Sequence, residues 1–338
     1  MFILPIVGLQ VPISVRAQRK VWGFCGESVE TLAAAELTYA LTMDWPALPL
    51  EEWRETRDTV HRWTQVVGKI RMAFTPPVNH WWHVTLYVSA RGLTTSVIPY
   101  GDRWFDMEFD FIAHQLHIRT SDGAHRDVPL APRTVADFHD EVFAALRALH
   151  IHCTIWPVPV ECEDTIPLDR DDQHKSYDAA YVQRFWRALA LTNAVLTVFR
   201  GEFIGKCSPV HFFWGSFDLA VTRFSGRRAP DRPEADAMTR EAYSHEVSSV
   251  GWWPGDSRLS VPSFYSYAAP EPAGFRTAAI KPSAACYNEP LGGFYLHYDD
   301  VRRSPDPEQA LLDFCHTVYD SAADNGHWDR NALERQHV

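Results

Sequence analysis

Thiol chemistry has little to work with in this 338-residue chain. Its six cysteines, at 25, 153, 162, 207, 286 and 315, form no CxxC pair and no zinc-finger spacing. That pattern reads as reduced thiols in a cytoplasmic protein; the nearest pair, Cys153 and Cys162, could bridge, but nothing requires it. No apolar run reaches the length of a membrane-spanning helix. The apolar start, Met1 to Leu9, is followed rather than preceded by its charges (Arg16, Arg19, Lys20) and is interrupted by Pro5 and Pro12, the reverse of a signal peptide. Positive charge is the scarcer sign. With 32 basic against 43 acidic residues the net charge is −11, which argues against nucleic acid or an anionic membrane surface as partner. Also missing are a phosphate-binding lysine loop, a dinucleotide glycine triplet, a GxSxG nucleophile elbow and an HExxH zinc pair. No cofactor is assignable, and the oligomeric state stays open.

What is present is an ordinary globular composition, 46% hydrophobic and 22% charged, with 13% aromatics and 13 tryptophans. Rings at that density furnish aromatic cores or ring-lined pockets. After Pro49, Trp53, Val60, Trp63, Val67, Ile70 and Phe74 follow helical spacing, with Glu51 and Glu52 at the start and Lys69 and Arg71 at the end; this predicts a helix stopped by Pro76-Pro77. Strands are expected at 83–89, 93–100, 104–111, 116–120 and 153–160. Between the last two lies a helix opened by Thr134 and Asp137, a capping-box pattern. The second half predicts a long helix from Tyr181 through Phe203, ending near Gly205-Lys206, one strand from about 210 to 224, and shorter strands near 244–250, 263–268 and 293–298. Asp306-Pro307, a cap followed by proline at the first helical position, opens a final helix.

The fold class is therefore α+β, with antiparallel-rich sheets, packed helices and two similarly built halves. Residues 1–43 read as an N-terminal extension, either a start-codon artefact upstream of Met43 or a partner-binding segment. Residues 44–160 form the first half, 161–177 an acidic linker, and 178–338 the second half. Laying Pro77-Val78 over Pro209-Val210 puts Trp82 over Trp214 and Leu86 over Asp218, the pattern an internal duplication would leave.

Several segments are long enough to carry a resemblance. They are Trp45-Pro-Ala-Leu-Pro-Leu-Glu-Glu-Trp53, Pro77-Val-Asn-His-Trp-Trp-His-Val-Thr-Leu-Tyr-Val88, Gly92-Leu-Thr-Thr-Ser96, the run from Gly205-Lys-Cys-Ser-Pro-Val through His211-Phe-Phe-Trp-Gly-Ser-Phe-Asp218 to Arg227, and Tyr243-Ser-His-Glu-Val-Ser-Ser249. Together they resemble the uncharacterised bacterial family DUF5996, from about residue 44 to the C-terminus. The resemblance implies no catalytic or binding role for any residue.

Candidate chemistry is read from the residues themselves. On a strand from 210 to 224, Trp214, Ser216, Asp218, Ala220 and Thr222 share one face, and His211, Phe213, Gly215, Phe217 and Leu219 the other. A carboxylate in mid-strand needs a hydrogen bond or a counter-charge. Asp218 is thus expected to line a second-half pocket and to meet Arg223 or His245. The roles assigned are acid or base for Asp218 and Glu246, proton transfer for His211 and His245, and anion anchoring for Arg223, with Trp214, Ser244, Trp252 and Tyr265 as pocket residues. The pairs His80/His83 and His114/His117 point opposite ways on strands, so no metal site is expected. The function this supports is binding of a small organic molecule, with or without cofactor-independent acid–base chemistry. The alternative is a non-catalytic interaction protein whose rings are core or interface. Whether the chain is an enzyme is not decided by the sequence.

Overall fold

A computed structural model describes residues 44–336 of the chain; the N-terminal extension lies outside them. Residues 45–338 cluster as one compact unit. The architecture is α+β, with two antiparallel six-stranded sheets and, among the described residues, seven α-helices.

Helix α1 (Leu50–Phe74) runs as the apolar stripe predicts and is buried on almost every side. It ends before Pro76, which cannot continue it. The first sheet follows, built of β1 (Tyr87–Val88), β2 (Gly92–Thr94), β3 (Ile98–Tyr100), β4 (Arg103–Asp110), β5 (Gln115–Thr120) and β6 (His125–Pro129). Its order is β1-β2-β4-β5-β6, with β3 also paired to β4. Helix α2 (Val135–Ala148), capped by the Thr134 side chain, packs against β6 and α1. Trp63 of α1 stacks on Phe138 at 4.5 Å.

In the second half, α3 (Ala179–Gly201) leads into the sheet β11-β12-β10-β9-β8-β7, formed by β7 (His211–Phe213), β8 (Asp218–Arg228), β9 (His245–Trp253), β10 (Ser263–Ala269), β11 (Cys286–Asn288) and β12 (Gly293–His297). Short helices α4 (Ala237–Ala242), α5 (Tyr298–Arg302) and α7 (Arg330–Leu333) accompany the long α6 (Pro307–Asn325), which opens on its Asp306 cap. Helices α3 and α6 cover one face of this sheet. Leu219, Val221, Val250, Trp252, Phe264 and Leu296 point into that layer and are buried.

The two sheets meet where Leu86 and Phe212 exchange backbone hydrogen bonds of 2.9 and 2.7 Å. Beside them the Thr85 hydroxyl and the His211 ring are 3.1 Å apart, across 126 residues of chain. The core is continuous across this seam: Phe185 of α3 touches Trp53 of α1 at 5.4 Å and stacks on Phe217 at 5.0 Å.

Three local expectations are corrected. Residues 83–89 yield only the two-residue β1, preceded by a 3-10 turn at Asn79–Trp81 in which His80 and Trp81 take positive φ. Residues 153–160 form no strand. The single strand from 210 to 224 is two strands, β7 and β8, joined by a tight turn at 214–217 with Phe217 at φ 60°. Cys153 and Cys162 are both free thiols.

Candidate functional site

The turn at 214–217 positions the site. Phe217 in the left-handed region drops its ring into the core, against Phe185 and, at 4.8 Å, against the His61 ring. The chain then re-enters the sheet with its alternation reset. On β8 Asp218, Ala220, Thr222 and Phe224 face away from the helices, while Leu219, Val221 and Arg223 face towards them. In register beside them stand Val247, Ser249, Gly251 and Trp253 of β9, then Tyr265 and Tyr267 of β10, then Tyr295 of β12.

This face of the sheet forms the wall of an open cavity of about 840 Å³. Its other sides come from the His80–Trp82 turn, from α4 and its preceding loop, and from Glu161. Tyr265 and Tyr267 stand parallel at 6.3 Å, with Tyr295 6.4 Å from Tyr265. Gly251 leaves room for that row: a Cβ there would lie 2.4 Å from the Tyr265 ring and hydroxyl. The Tyr243 hydroxyl donates to that of Tyr267 at 3.1 Å, and Thr222 and Ser249 hydroxyls meet at 2.9 Å.

Asp218 sits at the inner end, 6% exposed. The Ser216 hydroxyl donates to one carboxylate oxygen and the Tyr265 hydroxyl to the other. Burial pushes the Asp218 carboxyl above the usual range, and the two donors pull it partly back. Glu161 is exposed at the rim; crowding of its carboxyl, and then the nearby Asp218 charge, raise it, and Arg258 opposes them. A Cβ on Gly215 would lie 2.9 Å from Glu161 Oε1, so glycine in the turn lets the Glu161 side chain lean over it. The Tyr265 and Tyr267 hydroxyls are pushed far up by burial first and keep their protons. Two carboxyls raised above the usual range at the side of a ring-walled hollow are groups that can exchange a proton with a ligand.

The other sequence candidates are dispersed. Arg223 lies on the opposite face of the sheet, its guanidinium 3.4 Å from the Phe199 ring centre and bonded to the Phe199 carbonyl; β alternation places it there, and it cannot anchor an anion beside Asp218. Trp252 is wholly buried between Phe185 and Tyr298; its neighbour Trp253 faces the cavity instead. Trp214 belongs to the turn, donates to the Val84 carbonyl at 2.7 Å and packs over Gly68, away from Asp218. His211 shares the cavity face of the sheet but is covered by Trp82 and Thr85, and burial lowers it to about 3. Glu246 is paired with Arg227 at 2.6 Å at a separate small hollow. Ser244 and His245 hydrogen-bond each other at the strand entrance, and Ser244 borders a further hollow with Arg228 and Arg232. Of the residues assigned from sequence, the structure brings only Asp218 and Tyr265 together in this cavity.

Sequence reading missed Glu161, Tyr295 and His80 as cavity residues, whereas Trp253 and Tyr267 stand in the second-half ring cluster it does single out. Gly215-Ser216 was the available signal, since a Gly-Ser pair between two aromatic runs marks a turn. With the turn placed there, Glu161 has no sequence signal at all, because it comes from the acidic segment before α3. Among the described residues no group of three or more histidine, cysteine or carboxylate side chains is placed to hold a metal ion.

Fold and cavity together define an α+β protein that carries a tyrosine-walled, carboxylate-bearing hollow on the free face of its second sheet. The chain belongs to DUF5996, a family of unknown function whose model matches residues 45–335. No curated protein and no solved structure matches it. No helix among the described residues is long and apolar enough to cross a membrane.

Proposed function

We propose that this protein binds a small organic molecule in the cavity on the second sheet, with Asp218 as the group that exchanges a proton with it. The observation that carries the reading is Asp218 itself. It is a carboxyl buried at the inner end of a hollow of about 840 Å³, hydrogen-bonded to the first of two stacked tyrosines and paired with no cation among the described residues. The hollow's size and its mix of rings with a few directed polar groups are those of ligand sites. Glu161 is the second acid–base group of the proposal, and Tyr265 orients Asp218 through its hydroxyl. The sequence-assigned roles of Glu246 and His245 are not retained, because their hydrogen bonds tie them to other surroundings.

The test is capture of metabolites from a cell extract on purified full-length protein, read by mass spectrometry. Thr222→Trp, which fills the cavity from its wall, is the comparison. A compound retained by the wild type and lost from the variant, at equal thermal midpoint, supports the reading; identical retention profiles contradict it.

A further inference from the structure

We infer that the molecule this cavity takes is an organic cation, an amine or guanidinium on an apolar body, with its charged end between Asp218 and Glu161. The inference rests on the binding reading above and adds the chemical class.

The first observation is a missing counter-charge. Both Asp218 oxygens accept from hydroxyls, Ser216 and Tyr265, which leaves the carboxylate hydrogen-bonded but not neutralised. Among the described residues no arginine, lysine or histidine forms an ion pair with it. Buried acidic groups are normally paired. The second is Glu161, an exposed residue at the rim of the same space, which has no hydrogen bond or ion pair among the described residues and feels Arg258 only electrostatically.

Among the described residues, none of the cations around the cavity is ion-paired with Asp218. Arg258 is held by Asp256 at 2.7 Å and lies over the Trp253 ring, and Arg232 lies over Tyr243. His80 is placed as a neutral ring. Its Nδ1 meets the Glu241 carbonyl at 3.0 Å and so carries the proton, leaving Nε2 to accept from Lys206 at 2.6 Å. The remaining acid of the lining, Asp236, is spent capping α4.

The third observation is the wall. Tyrosine and tryptophan faces attract a cation through their ring quadrupole, and Tyr265, Tyr267, Tyr295 and Trp253 all border the hollow. An anion entering here meets two carboxylates. A neutral guest leaves Asp218 without a counter-charge. A cation satisfies the carboxylates and the rings together.

The experiment is calorimetric titration of the full chain with phenethylamine and with agmatine, against phenethyl alcohol and phenylpropionate as neutral and anionic counterparts. The expected result is that at least one amine binds about tenfold or more tighter than either counterpart, that Asp218→Asn removes the advantage and that Glu161→Gln reduces it. Should Asp218→Asn fail to fold, Glu161→Gln, outside every helix and strand, carries the comparison. Equal or tighter binding of the alcohol or the carboxylate overturns the cation class, as does failure of both amines. The metabolite capture described above decides separately whether the cavity takes an organic molecule at all.

Discussion

Asp218 gains its chemistry at the expense of stability. A carboxyl raised by burial binds more protons in the folded chain than in the unfolded one. Its favourable contribution is therefore complete below the ordinary value of 3.8 and is lost as pH rises through the folded value. Above the folded value the carboxylate is ionised in partly dry surroundings, and the fold is weaker for it. Asp218→Asn, nearly the same shape, is expected to be at least as stable as the wild type at about pH 7, with the difference closing towards about pH 4. Urea denaturation at the two pH values measures this. A variant clearly weaker at neutral pH would make Asp218 a structural residue, its hydrogen bonds to Ser216 and Tyr265 outweighing the desolvation of its charge.

At the scale of elements, two contacts decide whether the cavity exists. In β9, Gly251 is the close approach that lets the Tyr265 ring lie across the strand. Gly251→Ala places a methyl 2.4 Å from that ring and 2.6 Å from the Leu219 carbonyl. The expected cost is about 1–3 kcal/mol, the range for overpacking a filled site, with a displaced Tyr265; a thermal melt and a loss of ligand binding check it. The acidic segment 161–177 read as a linker, but part of it is packed. Asp171 is fully buried, pairs with Arg62 of α1 at 3.3 Å and with the His174 ring at 2.8 Å. Asp171→Ala removes one of the two acidic partners of Arg62, Asp164 being the other, and takes the acceptor from the His174 ring; it is expected to cost about 1–3 kcal/mol, the range for a disturbed buried polar group, measured by denaturant unfolding. Elements with strong local signals were legible in the sequence. The stripe of α1, the Thr134 cap and the Asp306-Pro307 start are all fixed by neighbours within a few residues. The site was half legible. Asp218 stands out as a carboxylate among apolar strand residues, and Tyr265 as a ring on a strand. Glu161 and Tyr295 reach the cavity from 57 residues before and 77 residues after Asp218, and no local pattern encodes which distant side chains a sheet face will gather. Phe217 misled the reading, because a non-glycine residue at φ 60° reverses the alternation without a sequence mark of its own.

For the whole molecule, the two halves share a core and do not merely touch. Phe185 lies between Trp53 of the first half and Phe217 and Trp252 of the second. The Leu86–Phe212 exchange joins the two sheets edge to edge. Residues 44–338 are therefore expected to unfold in one cooperative transition, and Phe185→Ala to lower stability by about 3–5 kcal/mol without splitting it. Two separate calorimetric transitions in the wild type would contradict this. The shared core also bears on the site. Helices α3 and α6 pack against the sheet, so the tyrosine row and Asp218 stand on a backed wall, while α4 has no buried residue and Glu161 is exposed.

The most direct measurement is the titration of the Asp218 carboxyl by carbon NMR, its signal assigned by its loss in Asp218→Asn. In the free protein the midpoint is expected above 3.8, and phenethylamine or agmatine is expected to move it down as a cation takes its place beside the carboxylate. A midpoint at or below 3.8 in the free protein, unmoved by either amine, would contradict the account of Asp218 as a buried, unneutralised carboxylate at the centre of a ligand site.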